Sequence, residues 1–160
     1  MTADQGGVAP GEVVGFVGLG NMGIPMTRRL VAAGYQVRGF DTSAQAMRDF
    51  ADIGSSDAGG GVTAVAGLAA VGDGAAAVIL MLPDSDVVER VLLGRLVSEP
   101  EPAPGSTSGG LLGSLPAGAT VIDMSSSDPA RTQALAPLLA AAGVTLIDAP
   151  VSGGVAGARA

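Results

Sequence analysis

The sequence predicts an α/β domain built as a doubly wound parallel sheet with helices on both faces. Three observations predict it. Short apolar runs alternate along the chain with segments of helical spacing, the most apolar run is short and stopped by a proline, and a glycine-rich turn stands between the first apolar run and the first helical segment. The chain has 160 residues, 48% of them hydrophobic and 14% charged, enough for one buried core and short for two. Residues 1–12, acidic and carrying Gly and Pro, are expected to be a flexible tail, and residues 13–160 the single domain.

Val13 to Val17 is a short apolar run ending at glycines, as a buried parallel strand should be. From Asn21 to Ala33 the spacing turns helical, with Met22, Met26, Leu30 and Ala33 on one face, and Gly34 stands where a left-handed C-cap would be. Tyr35 to Phe40 reads as the second strand. Ser43 to Asp52 reads as the second helix, with Ala44, Met47 and Phe50 inward, and Gly59-Gly60-Gly61 leads into a weak third strand at Val62. The run Ala75 to Leu82 (AAAVILML) is stopped by Pro83 and is predicted to be a central strand buried on both faces. Asp84 or Ser85 caps the next helix, which carries Val87, Val88, Val91 and Leu92. Ser98 to Ser114 has linker composition and is predicted to be a mobile surface loop. Thr120 to Met124 is strand five, Pro129 to Ala142 a helix capped by Ser127 or Asp128, and Thr145 to Ile147 strand six. There is no internal repeat beyond this alternation.

Composition narrows the chemistry. The net charge is −7, with eight arginines, no lysine and no basic stripe, which argues against a nucleic-acid partner. Absence of Cys and His removes disulfides, thiolate nucleophiles, His-based triads and nearly all transition-metal sites. What remains is carboxylates, hydroxyls, backbone amides or a bound cofactor. No apolar stretch approaches the roughly 20 residues of a membrane helix, and the N-terminus has no secretion-signal pattern, so no membrane partner and a cytoplasmic location are expected.

In GFVGLGNMG (15–23), Gly18, Gly20 and Gly23 form G-x-G-x-x-G between a predicted strand and a predicted helix. Gly18 permits the tight turn, Gly20 leaves the backbone bare toward a pyrophosphate, and Gly23 lets the helix press on the strand. The amides of this turn and helix start, Leu19, Asn21 and Met22 among them, then face phosphates at the favourable end of the helix dipole. Asp41 lies 18 residues past Gly23 at the end of strand two, where a carboxylate accepts both ribose hydroxyls of NAD and repels the 2′-phosphate of NADP. NAD is therefore favoured over NADP. The alternatives are a coincidental glycine turn and a solvated strand-end aspartate.

The ordered set of motifs resembles the β-hydroxyacid dehydrogenase family, which includes 3-hydroxyisobutyrate dehydrogenase and tartronate semialdehyde reductase. GFVGLGNMGIPM (15–26) resembles its opening signature, MLPDSDVVERVLLG (81–94) its segment after strand four, VIDMSSSDP (121–129) its strand-five turn, and DAPVSGGVAGA (148–158) its substrate motif. The resemblance implies a Rossmann-type NAD-binding domain in which Leu82, Pro83 and Ser126 contact the cofactor and Ser152, Gly153 and Gly154 hold a substrate carboxylate. Each has a plainer reading: Pro83 ends a strand, Ser126 belongs to a helix-capping cluster, and S-G-G is a flexible loop. The partner implied is a small β-hydroxyacid, 3-hydroxyisobutyrate-like or 2-hydroxy-3-oxopropionate-like, with homo-oligomers formed by a full-length protein.

Family members continue into a helical domain whose first helix supplies a lysine for proton transfer. This chain has no lysine, so no catalytic residue is assigned in it, and alone it is expected to lack normal turnover. Arginine, always charged, cannot substitute. The chain is either the N-terminal part of such an enzyme or a stand-alone nucleotide-binding module; a relative of 6-phosphogluconate dehydrogenase or of imine reductases is a further alternative that fits DAPVSGG less well.

Overall fold

The computed structural model describes residues 7–100 and 109–159. β1 (Val13–Val17) leads to α1 (Gly23–Ala32), β2 (Gln36–Phe40) to α2 (Ala44–Ala51), and β3 (Gly61–Ala64) to α3 (Leu68–Gly72). β4 (Ala77–Leu80) leads to α4 (Ser85–Leu93), β5 (Thr120–Asp123) to α5 (Pro129–Ala141), and β6 (Thr145–Asp148) to α6 (Gly154–Arg159). The strands form one sheet in the order β3-β2-β1-β4-β5-β6, parallel at every junction. The chain thus winds outward from β1 to β3, returns to the centre at β4 and winds to the other edge. The crossovers leave β1 and β4 in opposite directions, which opens a crevice beyond their carboxyl ends.

Side-chain alternation along the strands builds a separate core on each face. Val78 and Leu80 of β4 join Val71 of α3, Val88 of α4 and Leu135 of α5, while Ile79 between them joins Val31 of α1 and Phe50 of α2. Every residue of β4 is buried, which is why it reads as an unbroken apolar run. On the α1–α2 side the Phe50 ring lies directly over Gly39, where a Cβ would come within 2.4 Å of it.

Several details differ from the sequence expectations. In α1 the fully buried positions are Gly23, Thr27 and Val31, whereas Met22, Met26 and Leu30 are half-buried and Ala33 is exposed. The bare Gly23 sinks the helix start against the preceding turn and rotates the 23/27/31 row toward the sheet. Ala44, expected inward on α2, is exposed; Met47 is half-buried and Phe50 buried. Gly34 does take the left-handed conformation expected after α1, with φ +93°. α3 and α6 were not expected, because five or six residues, mostly Gly, Ala and Val, carry too little periodicity to announce a helix.

Parts of the segments expected to be mobile are instead fastened to the fold. Residues 1–6 of the tail and 101–108 of the 98–114 loop lie outside the described residues. The tail's other half is fastened: Tyr35 Oη donates to Val8 O at 3.1 Å, and Gly11 N–H to Gly34 O at 3.0 Å. Leu111–Ser114 forms a 3₁₀ turn, and Leu111 is fully buried in the core beside α3 and α4. Composition alone hid this, since the glycines and serines around Leu111 and Leu112 mask an apolar anchor. Among the described residues no helix is long and apolar enough to cross a membrane, and no group of three or more His, Cys, Asp or Glu is placed to hold a metal ion.

A partly buried ion pair joins α4 to α5. Glu89, 2% exposed, accepts from Arg131 Nε at 2.7 Å and from Val97 N–H at 2.7 Å. Arg131 also pairs with Asp86. Burial pushes the Glu89 carboxyl up, but the Arg131 hydrogen bond, the Val97 amide and the Arg131 charge together outweigh it and hold the group below the ordinary range. Such a group adds stability that is present above the ordinary glutamate value of about 4.3 and is lost as pH falls through the lower folded-state value.

Three outcomes follow for stability. Leu111→Ala should cost about 2–5 kcal/mol in urea unfolding, as for a core leucine, whereas a loop residue would cost almost nothing. The stability gap between the native chain and Glu89→Gln should stay level from neutral pH to about pH 5 and shrink below about pH 4. Arg131→Met should destabilise more than Glu89→Gln at neutral pH, because it strands a buried carboxylate.

Candidate cofactor site

The crevice is shaped first by the turn from β1 into α1. Gly18 has φ +97°, and a Cβ there would lie 2.2 Å from Met81 O; a Cβ at Gly23 would lie 2.0 Å from Gly18 O. A side chain at Gly23 would force the helix off the turn, and one at Gly18 would force the turn off the backbone that follows β4. Gly20 is different: a Cβ there would meet nothing within 4 Å, and the residue is exposed. Open space above a bare backbone is what a close-lying ligand requires. No side chain caps the start of α1; Ile24 N–H is taken by Gly20 O and Pro25 has no N–H, so it is the amides just before them, at the positive end of the helix, that face an anion.

Asp41 follows β2 and reaches back across the turn. Its Oδ2 accepts from Leu19 N–H and its Oδ1 from Ser43 N–H, both at 2.7 Å. Each carboxylate oxygen keeps a second acceptor position, so the carboxylate can still take two hydroxyl donors from a diol. Ser43 in turn caps α2, its side chain accepting from Ala46 N–H. Leu19 has a different place from its neighbours: its side chain is buried in the core and its amide is used by Asp41.

Leu82 and Pro83 form the opposite wall. Together with Gly18, Gly20 and Asp41 they line a cleft of about 370 Å³, closed below by Val87 and Val91 of α4. The structure thus brings the glycine turn, the strand-two aspartate and the post-β4 dipeptide around one space. Asp84, not Ser85, caps α4 by accepting from Val87 N–H. Asn21 lines a second cleft of about 480 Å³, between α1, α2 and α6, with Ser43, Asp49 and Arg159.

Beyond β5, Ser126 is exposed while Ser125 is buried. Asp128, not Ser127, caps α5, through Ala130 N–H. Ser127 Oγ instead donates to Asp123 Oδ2 at 2.8 Å. Sequence reading took this serine cluster only as caps and a contact; it missed Asp123 and Ser125, whose one signal was a polar strand end that the sheet nevertheless buries. Ser152, Gly153 and Gly154 are exposed, Gly153 with φ +110°. They line neither of these clefts, but α6, which begins at Gly154, packs on α1, where Arg29 Nη2 donates to Arg159 O at 3.2 Å.

Residues 13–160 match the family model described as the NAD binding domain of 6-phosphogluconate dehydrogenase. The chain is 37% identical over 147 residues to 3-hydroxyisobutyrate dehydrogenase of Pseudomonas aeruginosa, covering 92% of this chain and 43% of that protein. It is 35% identical over 138 residues to 3-sulfolactaldehyde reductase of Escherichia coli (strain K12), covering 86% of this chain and 40% of that protein. A solved structure of Mycobacterium tuberculosis 3-hydroxyisobutyrate dehydrogenase with L-serine is similar with a TM-score of 0.75 at 32% identity, covering 93% of this chain and 43% of that one. The chain therefore spans less than half the length of the relatives it matches.

The three glycines should separate cleanly by unfolding measurements. Gly23→Ala and Gly18→Ala should each lose about 1–3 kcal/mol or more, because backbone must move, while Gly20→Ala should stay within about 0.5 kcal/mol of the native chain.

Proposed function

The chain belongs to the family described as the NAD binding domain of 6-phosphogluconate dehydrogenase, and from that premise we propose that it is the cofactor-binding part of an NAD-dependent oxidoreductase acting on a small 3-hydroxy acid. The observation that carries the reading is the conjunction at one crevice of open backbone at Gly20, an uncapped α1 start and the Asp41 carboxylate. A nicotinamide dinucleotide fits each of these features. The bare turn Gly18–Gly23 and the amides of Asn21 and Met22 would take the pyrophosphate, and Asp41 the adenosine ribose hydroxyls. Leu82, Pro83 and Ser126 would bound the remainder of the cofactor.

When bound, the nicotinamide accepts or gives the hydride, and the protein's part is orientation and electrostatics. Asp41 supports NAD over NADP, since its fixed negative charge disfavours a 2′-phosphate and its spare acceptor positions suit free hydroxyls. For the substrate, the hydroxyl of Ser152 and the bare amides of Gly153 and Gly154 would hold a carboxylate. A 3-hydroxyisobutyrate-like or 2-hydroxy-3-oxopropionate-like acid suits that role. The names of the two relatives support a three-carbon backbone bearing an acid group.

A second reading, a nucleotide-binding module without turnover, is favoured by one observation: the 160 residues contain no lysine or histidine to move the hydroxyl proton. Both readings share the cofactor site. They part on whether hydride transfer from NADH to a 3-oxo acid occurs once a lysine-bearing helical domain is joined to the chain.

Calorimetric titration tests the cofactor assignment. The native chain should bind NAD about tenfold or more tightly than NADP, and Asp41→Ala should lose most of that preference through weaker NAD binding. Equal affinities for the two, or NAD binding unaffected by Asp41→Ala, would sink the assignment.

A further inference from the structure

The two turns of the far crevice wall, β4 to α4 and β5 to α5, are cross-linked by side chains where the sheet ladder gives out. The last rungs are Met81 N–H to Val17 O and Met124 N–H to Leu80 O, both 2.9 Å. One residue further on, Leu82 N–H donates to Ser125 Oγ at 2.9 Å. Beyond it, Asp128 N–H donates to Ser85 Oγ at 2.8 Å. Both ties span 43 positions in sequence, so the two turns run side by side in constant register.

Ser125 is itself anchored. Its N–H donates to Asp123 Oδ1 at 3.0 Å, and Ser127 Oγ donates to Asp123 Oδ2 at 2.8 Å. Asp123 and Ser125 are 0% and 1% exposed, whereas Ser126 between the two held serines is exposed. One buried carboxylate therefore fixes both flanks of Ser126 and leaves its hydroxyl accessible. Pro83 offers no N–H, so the bond at Leu82 is the wall's donor at this point.

At the opposite end of the same strands the joins are made mainly by backbone, Ala76 N–H to Val13 O, Thr120 N–H to Ala76 O and Gly118 N–H to Gly143 O, and the side-chain tie there, Arg38 Nη1 to Asp73 O, is exposed. Sheet cohesion thus does not call for buried polar side chains there. Their concentration at the crevice end, at the cost of desolvating a carboxylate and two hydroxyls, points to a role in the site.

We infer that Asp123, Ser125 and Ser85 form a positioning latch that holds the Leu82–Pro83 wall and presents Ser126, setting dinucleotide affinity without touching the dinucleotide. This rests on the cofactor reading above. The three are positioning residues; removing Ser125 Oγ frees Leu82, loosens one wall of the cleft and lets the bound conformation spread.

The test pairs amide hydrogen exchange with NADH titration, followed by fluorescence, on the native chain, Ser125→Ala, Ser125→Thr and Ser85→Ala. Leu111→Ala, a core lesion beside α3 and α4 that removes none of the latch's hydrogen bonds, serves as the reference for general loosening. Ser125→Ala should speed exchange at Leu82 and weaken NADH by about three- to tenfold, Ser125→Thr should recover both, and Ser85→Ala should speed exchange at Asp128 and weaken NADH in the same direction. Leu111→Ala should leave NADH affinity within about twofold. Unchanged NADH affinity in Ser125→Ala with Leu82 released, or an equal loss in Leu111→Ala, overturns the latch. If the native chain binds no NADH while Leu82 exchange still responds to Ser125→Ala, the cofactor reading has failed and the latch's role in affinity falls with it, although the hydrogen bond stands.

Discussion

The whole arrangement depends on one close contact, the start of α1 pressed against the end of β1. A methyl group at Gly23 would stand 2.0 Å from the Gly18 carbonyl oxygen, so the contact exists only because Gly23 lacks a side chain, while the bare Gly18 lets the same turn lie 2.2 Å, measured from where its Cβ would be, from Met81 O. From it follow the rotation of α1 onto its 23/27/31 face, the exposure of the uncapped helix start to the crevice, and the short reach that lets Asp41 bond Leu19 N–H. Asp41 then does two things with one carboxylate. It fastens the end of β2 to the glycine turn, and its remaining acceptor positions face the cleft that the turn keeps open.

The sheet divides its labour by end and by face. Each face has its own apolar core, and β4, which contributes to both, is buried throughout. At the amino ends of the central strands backbone hydrogen bonds make most of the joins, and the side-chain ties there, such as Tyr35 to Val8, are not deeply buried. At the carboxyl ends polar side chains take over: Asp41 on one side of the switch point, Asp123 with its serines on the other. This asymmetry is what a parallel sheet with a ligand at its carboxyl edge needs, since the strand ends must stay open to a ligand and yet hold their spacing without the ladder.

Much of this was legible in the sequence because its signals are local. The glycine triplet and the apolar run ending at Pro83 each express a constraint met within a few residues, Asp41 stands at a set spacing from the triplet, and the doubly wound class follows from the alternation of strands and helices. What escaped has a common cause in long-range contact. Leu111 looks like loop because its neighbours are Gly and Ser, and only the space between α3 and α4 makes it core. Glu89 and Arg131 lie far apart in sequence, and nothing local announces their pairing. Ser125 and Ser126 are identical neighbours, yet one is buried under the next turn and the other exposed; the strand's twist and the Asp123 carboxylate decide which, and neither can be read from S-S-S. α6 was hidden for a simpler reason, since six residues of Gly, Ala, Val and Arg favour no element strongly.

The central claim, that the glycine turn and Asp41 together make a dinucleotide site, is tested most directly by following backbone amide resonances of the ¹⁵N-labelled chain as NADH is added. The account predicts the largest shifts at Gly20, Asn21 and Met22 and at Leu19 and Ser43, whose amides bond Asp41, with little change at the amino ends of the strands around Gly118 and Thr120. Saturable shifts centred elsewhere, or none at these five amides, would contradict it.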